Sequence, residues 1–521
     1  MKKQLLKITM ILCLAGMVFW MGGGTAKAAV VYETEDNGSY DTADLVTPGT
    51  TVSGNISSYE DKDYYKVVPS ANGKISLFFT HTFKASSSSW DIHTYVYENG
   101  EYKELSSQSV SLKDNEKVSI PSIGVRKDGN YYIVIERGYS DIDGIPYSLE
   151  TSLEATEVYE KEQNDVYATA TDITLNGSMS GNLVSNGDKD YYKMTTAKDG
   201  KISLNFSHVN QNNSDSWSVT TYRYYDGAYT EQSRTYISLN DNEKITLPAL
   251  GAVKDGVYYI VVEKNFGDAL VGVDYKIDAS FEEISYEKED NDVYGTATAI
   301  KQNQKISGNI SKSDDLDYYK ITAESSDSYT ISFMHSYEDN AGGWNITVFS
   351  EKDGEYKELS STFVSLKDSA SFNLPAVGMA QNGIYYIKVE KNYGDTVVGK
   401  EYSLLLSKGT SKNTDNKTKN QTSVELEKGY LYSYCSAGKG SLKLYWSTVS
   451  DASGYQIRYA RNKSMTRSVK TKKISGQSSE QKVIKKLSRR KVYYVQIRAY
   501  KSVDGKVVYG KWSSKKKLKT K

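Results

Sequence analysis

The chain has little cysteine, proline, histidine or phenylalanine, and each shortage excludes something. Only two cysteines occur in 521 residues, Cys13 and Cys435. Cys13 lies in an N-terminal leader, which leaves Cys435 alone and rules out an intramolecular disulfide framework in the mature chain. Six prolines are too few for a proline-rich or mucin-like stalk. Four histidines, with no His-Glu-x-x-His and no Gly-x-Ser-x-Gly motif, leave no familiar hydrolase centre to point to. A Cys/His pair is also absent, because Cys435 sits in a region without histidine. The one long apolar run is Ile8–Met21, too short to span a bilayer comfortably. Lys2, Lys3 and Lys7 precede it and Ala26-Lys27-Ala28 follows. That is the layout of a signal peptide over 1–28, with a mature start at Ala29. A cysteine-poor exported chain of this kind reads as secreted from a Gram-positive-type bacterium.

What the chain has in excess is tyrosine, 45 residues against 11 phenylalanines. Tyrosine suits half-buried strands, its ring packing while its hydroxyl reaches water. Net charge is zero, but unevenly spread. Residues 421–521 carry 25 Lys+Arg and 5 Asp+Glu, leaving 40 and 60 for residues 1–420. An exported chain of zero net charge is not expected to bind nucleic acid. The basic end, with Lys515-Lys516-Lys517-Leu518-Lys519, suits a solvated edge, a cell-wall polyanion or the acidic part of a neighbouring molecule.

The dominant pattern is a repeat of 127 residues. Tyr32-Glu33-Thr34-Glu35-Asp36-Asn37 returns at Tyr159 and again at Tyr286. Gly54, Gly181 and Gly308 keep the offset, as do His81, His208 and His335, and Trp90, Trp217 and Trp344. A unit this long is a duplicated domain and not a solenoid turn. Short alternating segments, such as Lys74–Phe79 and Trp90–Val96, separated by Gly, Asn and Asp turns, predict all-β units. The expected organisation is 29–154, 155–281 and 282–408 for the repeats, a polar linker over 409–423, and a separate domain over 424–521.

Two acidic clusters recur in each repeat. The first comprises Glu33, Glu35 and Asn37; Glu160, Glu162, Asn164 and Asp165; Glu287, Glu289, Asn291 and Asp292. The second comprises Asp61 and Asp63; Asp188 and Asp190; Asp315 and Asp317. Alternate residues of an extended segment point the same way, so two carboxylates can face one ion. Hard cations such as Ca²⁺ take six to eight oxygens in flexible geometry, and Asn adds a neutral one. The first repeat has Gly38 in place of Asp165 and Asp292, which predicts a weaker site. Each opening segment falls where one repeat meets the preceding one, so a bound ion would stiffen the array. On the strand carrying the tryptophan, Tyr95, Tyr222 and Phe349 face away from Trp90, Trp217 and Trp344 and are the candidate ligand-binding aromatics.

The opening Glu-x-Glu-x-Asn-Asp, the Ser-Gly-Asn before Asp-x-Asp-Tyr-Tyr and the late Gly-x-Tyr-Tyr-Ile resemble the bacterial pre-peptidase C-terminal domain. That family is related to the collagen-binding domains of clostridial collagenases. The resemblance implies three tandem jelly-roll β-sandwiches, and calcium held by the acids just named. The family's frequent proline after the second Glu is replaced by Asp36, Gln163 and Asp290. In the last domain, Leu442–Trp446, Gly454–Tyr459 and Tyr493–Tyr500 read as strands, and Leu487 stands six residues before Tyr493. These features resemble a fibronectin type III domain, an immunoglobulin-like sandwich with Trp446 in its core and Tyr493 as its corner tyrosine. The family's proline between Leu487 and Tyr493 is missing; Arg489 stands there.

The functional expectation is a non-catalytic, secreted or cell-surface protein that binds calcium and adheres to an extracellular protein or polysaccharide. A calcium-stiffened spacer resting on the cell wall, and an accessory subunit of a secreted hydrolase system, are the alternatives.

Overall fold

The structure is a computed structural model. It describes residues 30–408 except 369 and 393, residue 431, and residues 436–521 except 447, 448, 450, 451, 477–480, 504, 505 and 514. The leader expected over 1–28, the linker expected over 409–423 and Cys435 lie outside the described residues. No α-helix occurs among the described residues, and so no helix is long and apolar enough to cross a membrane. The fold is all-β, built from sandwiched sheets. The chain divides into two compact units, Met1–Gly409 and Thr410–Lys521.

In the first unit each repeat is a pair of facing sheets. The strands of the first repeat are β1 (Val30–Tyr32), β2 (Asp44–Val46), β3 (Thr51–Asn55), β4 (Lys62–Val67), β5 (Gly73–His81), β6 (Ser89–Glu98), β7 (Glu101–Ser111), β8 (Lys117–Val125), β9 (Asn130–Arg137) and β10 (Pro146–Ala155). One sheet has the order β1-β3-β10-β5-β8, the other β2-β4-β9-β6-β7. The second order recurs in both later repeats; the first recurs with the strand matching β8 split in two and the strand matching β1 reduced to one bridge, Tyr159 to Ser180 and Tyr286 to Ser307.

Period-two patterning drives this. Along β5, burial alternates strictly, so Ile75, Leu77 and Phe79 enter the core while Lys74, Ser76 and Phe78 do not. Along β6, Trp90, Ile92, Thr94 and Val96 share the inner face. Trp90, Trp217 and Trp344 are fully buried, and His81, His208 and His335 lie buried beside them. Burying aromatic and branched side chains at about 25 cal/mol per Å² supplies most of the driving force for each sandwich.

Successive repeats interlock in one way, used twice. The Glu160 carbonyl oxygen packs against Gly124, and that of Glu287 against Gly251. Lys74 pairs with Asp274 and lies over the Tyr159 ring at 5.3 Å. Lys201 pairs with Glu401 at 2.6 Å and lies over Tyr286 at 5.9 Å. Val184 joins the hydrophobic core of the preceding repeat. At the end of the third repeat the matching positions are Ser328 and Gly378, and nothing described lies within 4 Å of a β-carbon on Gly378.

The second unit has a sheet of Ser436–Gly438, Ser441–Tyr445 and Gln481–Ile484. Its other sheet orders Lys470–Ser475, Gly454–Ala460, Val492–Val503 and Lys506–Tyr509, with Lys516–Lys519 on Val492–Val503. Trp446 is fully buried in this core. The Tyr493 hydroxyl accepts from the Ser488 amide at 3.0 Å, the bond of a tyrosine corner.

Candidate metal centre

The two acidic clusters of each repeat meet although about 25 residues separate them. The opening segment runs parallel to β3 in the first repeat, while the second aspartate sits at the start of β4 in the other sheet. Oxygens of Glu33, Glu35 and Asp63 lie within 4.8 Å of one another. So do those of Glu160, Glu162 and Asp190, and those of Glu287, Glu289 and Asp317. In the second repeat alone, Glu162, Asp165 and Asp188 form a further group that shares Glu162.

In the second and third repeats the clustered carboxylates other than Asp165 are buried; in the first, Asp63 is buried, Glu33 half-buried and Glu35 exposed. Asn37, Asn164 and Asn291 have no exposed surface, and each has a side-chain oxygen with no hydrogen-bond partner. The same holds for one oxygen of Asp63, Asp190 and Asp317, and for Glu162 Oε1 and Glu289 Oε1. A buried acceptor left unpaired costs about 1–3 kcal/mol, more if charged. Carboxylate oxygens gathered within 4.8 Å of one another, on residues that include such unpaired acceptors, are a chemical complement to a hard cation.

The other oxygens are held in a fixed frame. Glu160 Oε1 accepts from the Asn182 amide at 2.7 Å and Oε2 accepts from Tyr192 at 2.5 Å. The Tyr192 hydroxyl stands 2.7 Å from that of Tyr275, which donates to Asp190 Oδ2 at 2.5 Å. The frame repeats as Glu33–Tyr65–Tyr147–Asp63 and Glu287–Tyr319–Tyr402–Asp317. Each frame has three oxygen contacts and two hydroxyl protons, so a protonated carboxyl completes it when no cation is bound. Gly54, Gly181 and Gly308 make room for it. A β-carbon there would stand 2.1–2.3 Å from the glutamate Oε2. A cis peptide bond follows the second glutamate in every repeat, at Glu35-Asp36, Glu162-Gln163 and Glu289-Asp290.

Electrostatics agree. Burial pushes the Asp63 carboxyl up to about 8, Glu160 to about 7, Glu287 to about 8 and Asp315 to about 6. Burial, and then the neighbouring carboxylates, holds Glu162, Asp190, Glu289 and Asp317 well above the usual range. Asp188 is raised as well, by burial against the opposing Val184 amide.

Not every expected ligand joins the cluster. Asp61 and Asp315 each have an oxygen that accepts a backbone amide, from Ser57 at 2.6 Å and Ser311 at 2.5 Å, and so cap a turn beside the site. Asp292 accepts from the Leu316 amide at 3.1 Å. Neither these three nor Gly38 enters the converging groups.

The three sites differ in cover. Tyr32 is 77% exposed, whereas Tyr159 and Tyr286 are each 4% exposed. The first repeat has no described repeat before it, so Glu35 is exposed while Glu162 and Glu289 are buried. The Arg126 guanidinium of the first repeat donates to the Glu162 and Lys161 carbonyls. Arg223 of the second donates to the Glu289 carbonyl. A cavity of about 200 Å³, lined by Glu104, Leu105, Glu162, Asp165 and Asp188 among others, leads to the second site.

Tyr95, Tyr222 and Phe349 do lie on the outer face, but half-buried and not as bare platforms. Each meets Tyr40, Tyr167 or Tyr294 edge-on at 5.8 Å. Those three tyrosines stack on Tyr102, Tyr229 and Tyr356 at 3.6 Å. Tyr40 follows Asn37 by three residues, so this wedge also anchors the chain leaving the acidic cluster. The tyrosine pairs of the carboxylate frame were missed in the sequence. The fixed Tyr of Asp-x-Asp-Tyr-Tyr and the retained Gly54, Gly181 and Gly308 were the available signals.

No protein-family model matches the chain. A collagenase of Clostridium tetani, ColT, is 24% identical over 249 residues, 46% of this chain. The match spans 23% of that collagenase's own length. Among solved structures, the pre-peptidase C-terminal domain of a Bacillus anthracis collagenase aligns with 21% of this chain and 94% of its own, at 20% identity and a TM-score of 0.15. The FN1–FN3 domains of chicken CNTN1 align with 62% of this chain and 95% of their own, at 12% identity and a TM-score of 0.16.

Proposed function

We propose that the three repeats are an extracellular, non-catalytic binding array whose junctions are set by calcium. The observation that supports this is the gathering, three times, of carboxylate oxygens within 4.8 Å of one another, with a buried aspartate oxygen and a buried asparagine oxygen of each repeat left without a partner. An all-oxygen donor set of mixed carboxylates and an amide suits Ca²⁺ better than a metal that seeks nitrogen or sulfur. In each repeat the ion would be held by the two glutamates, the asparagine and the second aspartate. In the second repeat Asp165 and Asp188 would hold another beside it. The backbone of the ligand segment is gripped by the preceding repeat through Gly124 and Arg126, or Gly251 and Arg223. Ordering that segment therefore orders the junction, and three copies on a stiff array suit avid attachment to an extracellular protein or glycan. The likeness to part of a collagenase favours a binding or accessory role at the cell exterior.

The test is calorimetric titration of the full chain with Ca²⁺ and with Mg²⁺, beside a Glu160→Gln/Glu162→Gln/Glu287→Gln/Glu289→Gln variant. Calcium-selective heat that the variant loses supports the reading. Equal or absent heat in both proteins refutes it.

A further inference from the structure

The second unit contains a cavity of about 490 Å³ that the cation sites do not involve. Its lining includes Tyr459, which is half-buried, and Tyr493, which is 6% exposed and belongs to the domain core; their rings are tilted by 60° with centroids 6.4 Å apart. Its walls carry Arg461, Arg467, Lys470 and Lys486. All four cations are exposed, so their charge reaches the cavity mouth. The nearest acidic residues in the sequence are Asp451, Glu480 and Asp504, and none falls within 452–479 or 481–503, the stretches that build the walls. Nothing in these walls therefore neutralises the four charges.

The wall backbone is shaped at the same place. Ser468 and Lys486, both lining the cavity, have φ of 51° and 61°, and Met465 in the same loop has φ of 56°. Left-handed backbone at non-glycine residues costs about 1 kcal/mol or more each and gathers where a loop has a task beyond linking strands. Met465 is buried and holds its loop down, while the Tyr493 hydroxyl fixes the opposite wall through the Ser488 amide at 3.0 Å. The cations are thus mounted on two anchored loops that face one another.

We propose that this cavity binds an anionic polysaccharide: a sugar ring lies against the accessible part of the Tyr459 ring and its acid groups reach Arg461, Arg467, Lys470 and Lys486. A partly exposed tyrosine ring offers a pyranose an apolar contact that a bare phosphate chain cannot use, and guanidinium groups take sulfate or carboxylate in paired hydrogen bonds. The site is distinct from Lys515–Lys519, the basic run that sequence alone singles out. It does not depend on the calcium reading, since it shares no residue with the repeats.

The test measures binding of a heparin octasaccharide to the full chain, with inorganic polyphosphate of similar charge as the comparison. An R461Q/R467Q/K486Q variant is set beside K515Q/K516Q/K517Q, which removes the same charge elsewhere in the unit. Unchanged melting of both variants certifies their fold. The proposal expects at least about tenfold weaker heparin binding in the cavity variant, a loss under about threefold in the tail variant, and weaker binding of polyphosphate than of heparin. Equal losses in the two variants, polyphosphate bound as tightly as heparin, or no binding by the unaltered chain would each overturn it.

Discussion

Gly124 lies so close under Glu160 that a β-carbon on it would stand 2.2 Å from the Glu160 carbonyl oxygen. The first repeat thus presses on the backbone of the second repeat's ligand segment. Gly251 does the same to Glu287, at 2.1 Å, whereas Gly378 at the matching position of the third repeat meets nothing described within 4 Å. Gly124→Ala and Gly251→Ala should each cost about 1–3 kcal/mol. Gly378→Ala should stay within about 0.5 kcal/mol. Thermal melts of the three variants check this, and the two junction variants should also weaken calcium binding while the third does not.

Acid should oppose calcium. Glu160, Glu287 and Asp63 titrate at about 7, 8 and 8 when the site holds no ion, against ordinary values of 4.5, 4.5 and 3.8. A raised folded value means the protonated frame contributes stability that is present below about pH 4 and is lost as pH rises through 7–8. In chelator the melting temperature should fall between pH 5 and pH 9. With millimolar calcium, which holds the carboxylates ionised, that fall should shrink or vanish.

Binding should also release protons. Three contacts share two hydroxyl protons in each frame, so the ion displaces the proton that completes it. Calorimetry at pH 7 in buffers of different ionisation enthalpy should give heats that scale with the buffer. Identical heats would contradict the frame as described.

The tyrosines should matter for affinity without touching the ion. Tyr275→Phe removes the donor to Asp190, and Tyr192→Phe the donor to Glu160. Each should weaken calcium at the second site about 10–100-fold, the usual effect of losing a group that orients a ligand. Tyr191→Phe is the control, because Tyr191 faces the outer tyrosine cluster, 4.8 Å from Tyr167.

Much of this was legible in the sequence. The offset of 127 exposed the repeat, alternation exposed the strands, and the acids that converge were among those named from their spacing. Their partners were less legible. Tyr192 and Tyr275 meet only because two sheets bring together residues 83 positions apart, which no local pattern reveals. Asp188 and Asp315 accept the backbone amide four residues earlier in the same way, and only Asp188 also stands within 4.8 Å of two other carboxylates, a distinction that no sequence pattern carries. Tyr95 alternates as an outward residue should, but Tyr40 arrives from a loop to cover it. The exposure of Glu35 against the burial of Glu162 is set by a neighbouring repeat and not by the segment itself.

The most direct measurement is an anomalous difference map from crystals of the protein grown in calcium. The account predicts a peak bounded by oxygens of Glu287, Glu289, Asn291 and Asp317, at about 2.3–2.6 Å from each, with counterparts in the other repeats. Ordered water alone at hydrogen-bonding distance, with calcium at millimolar concentration in the crystal, would contradict it.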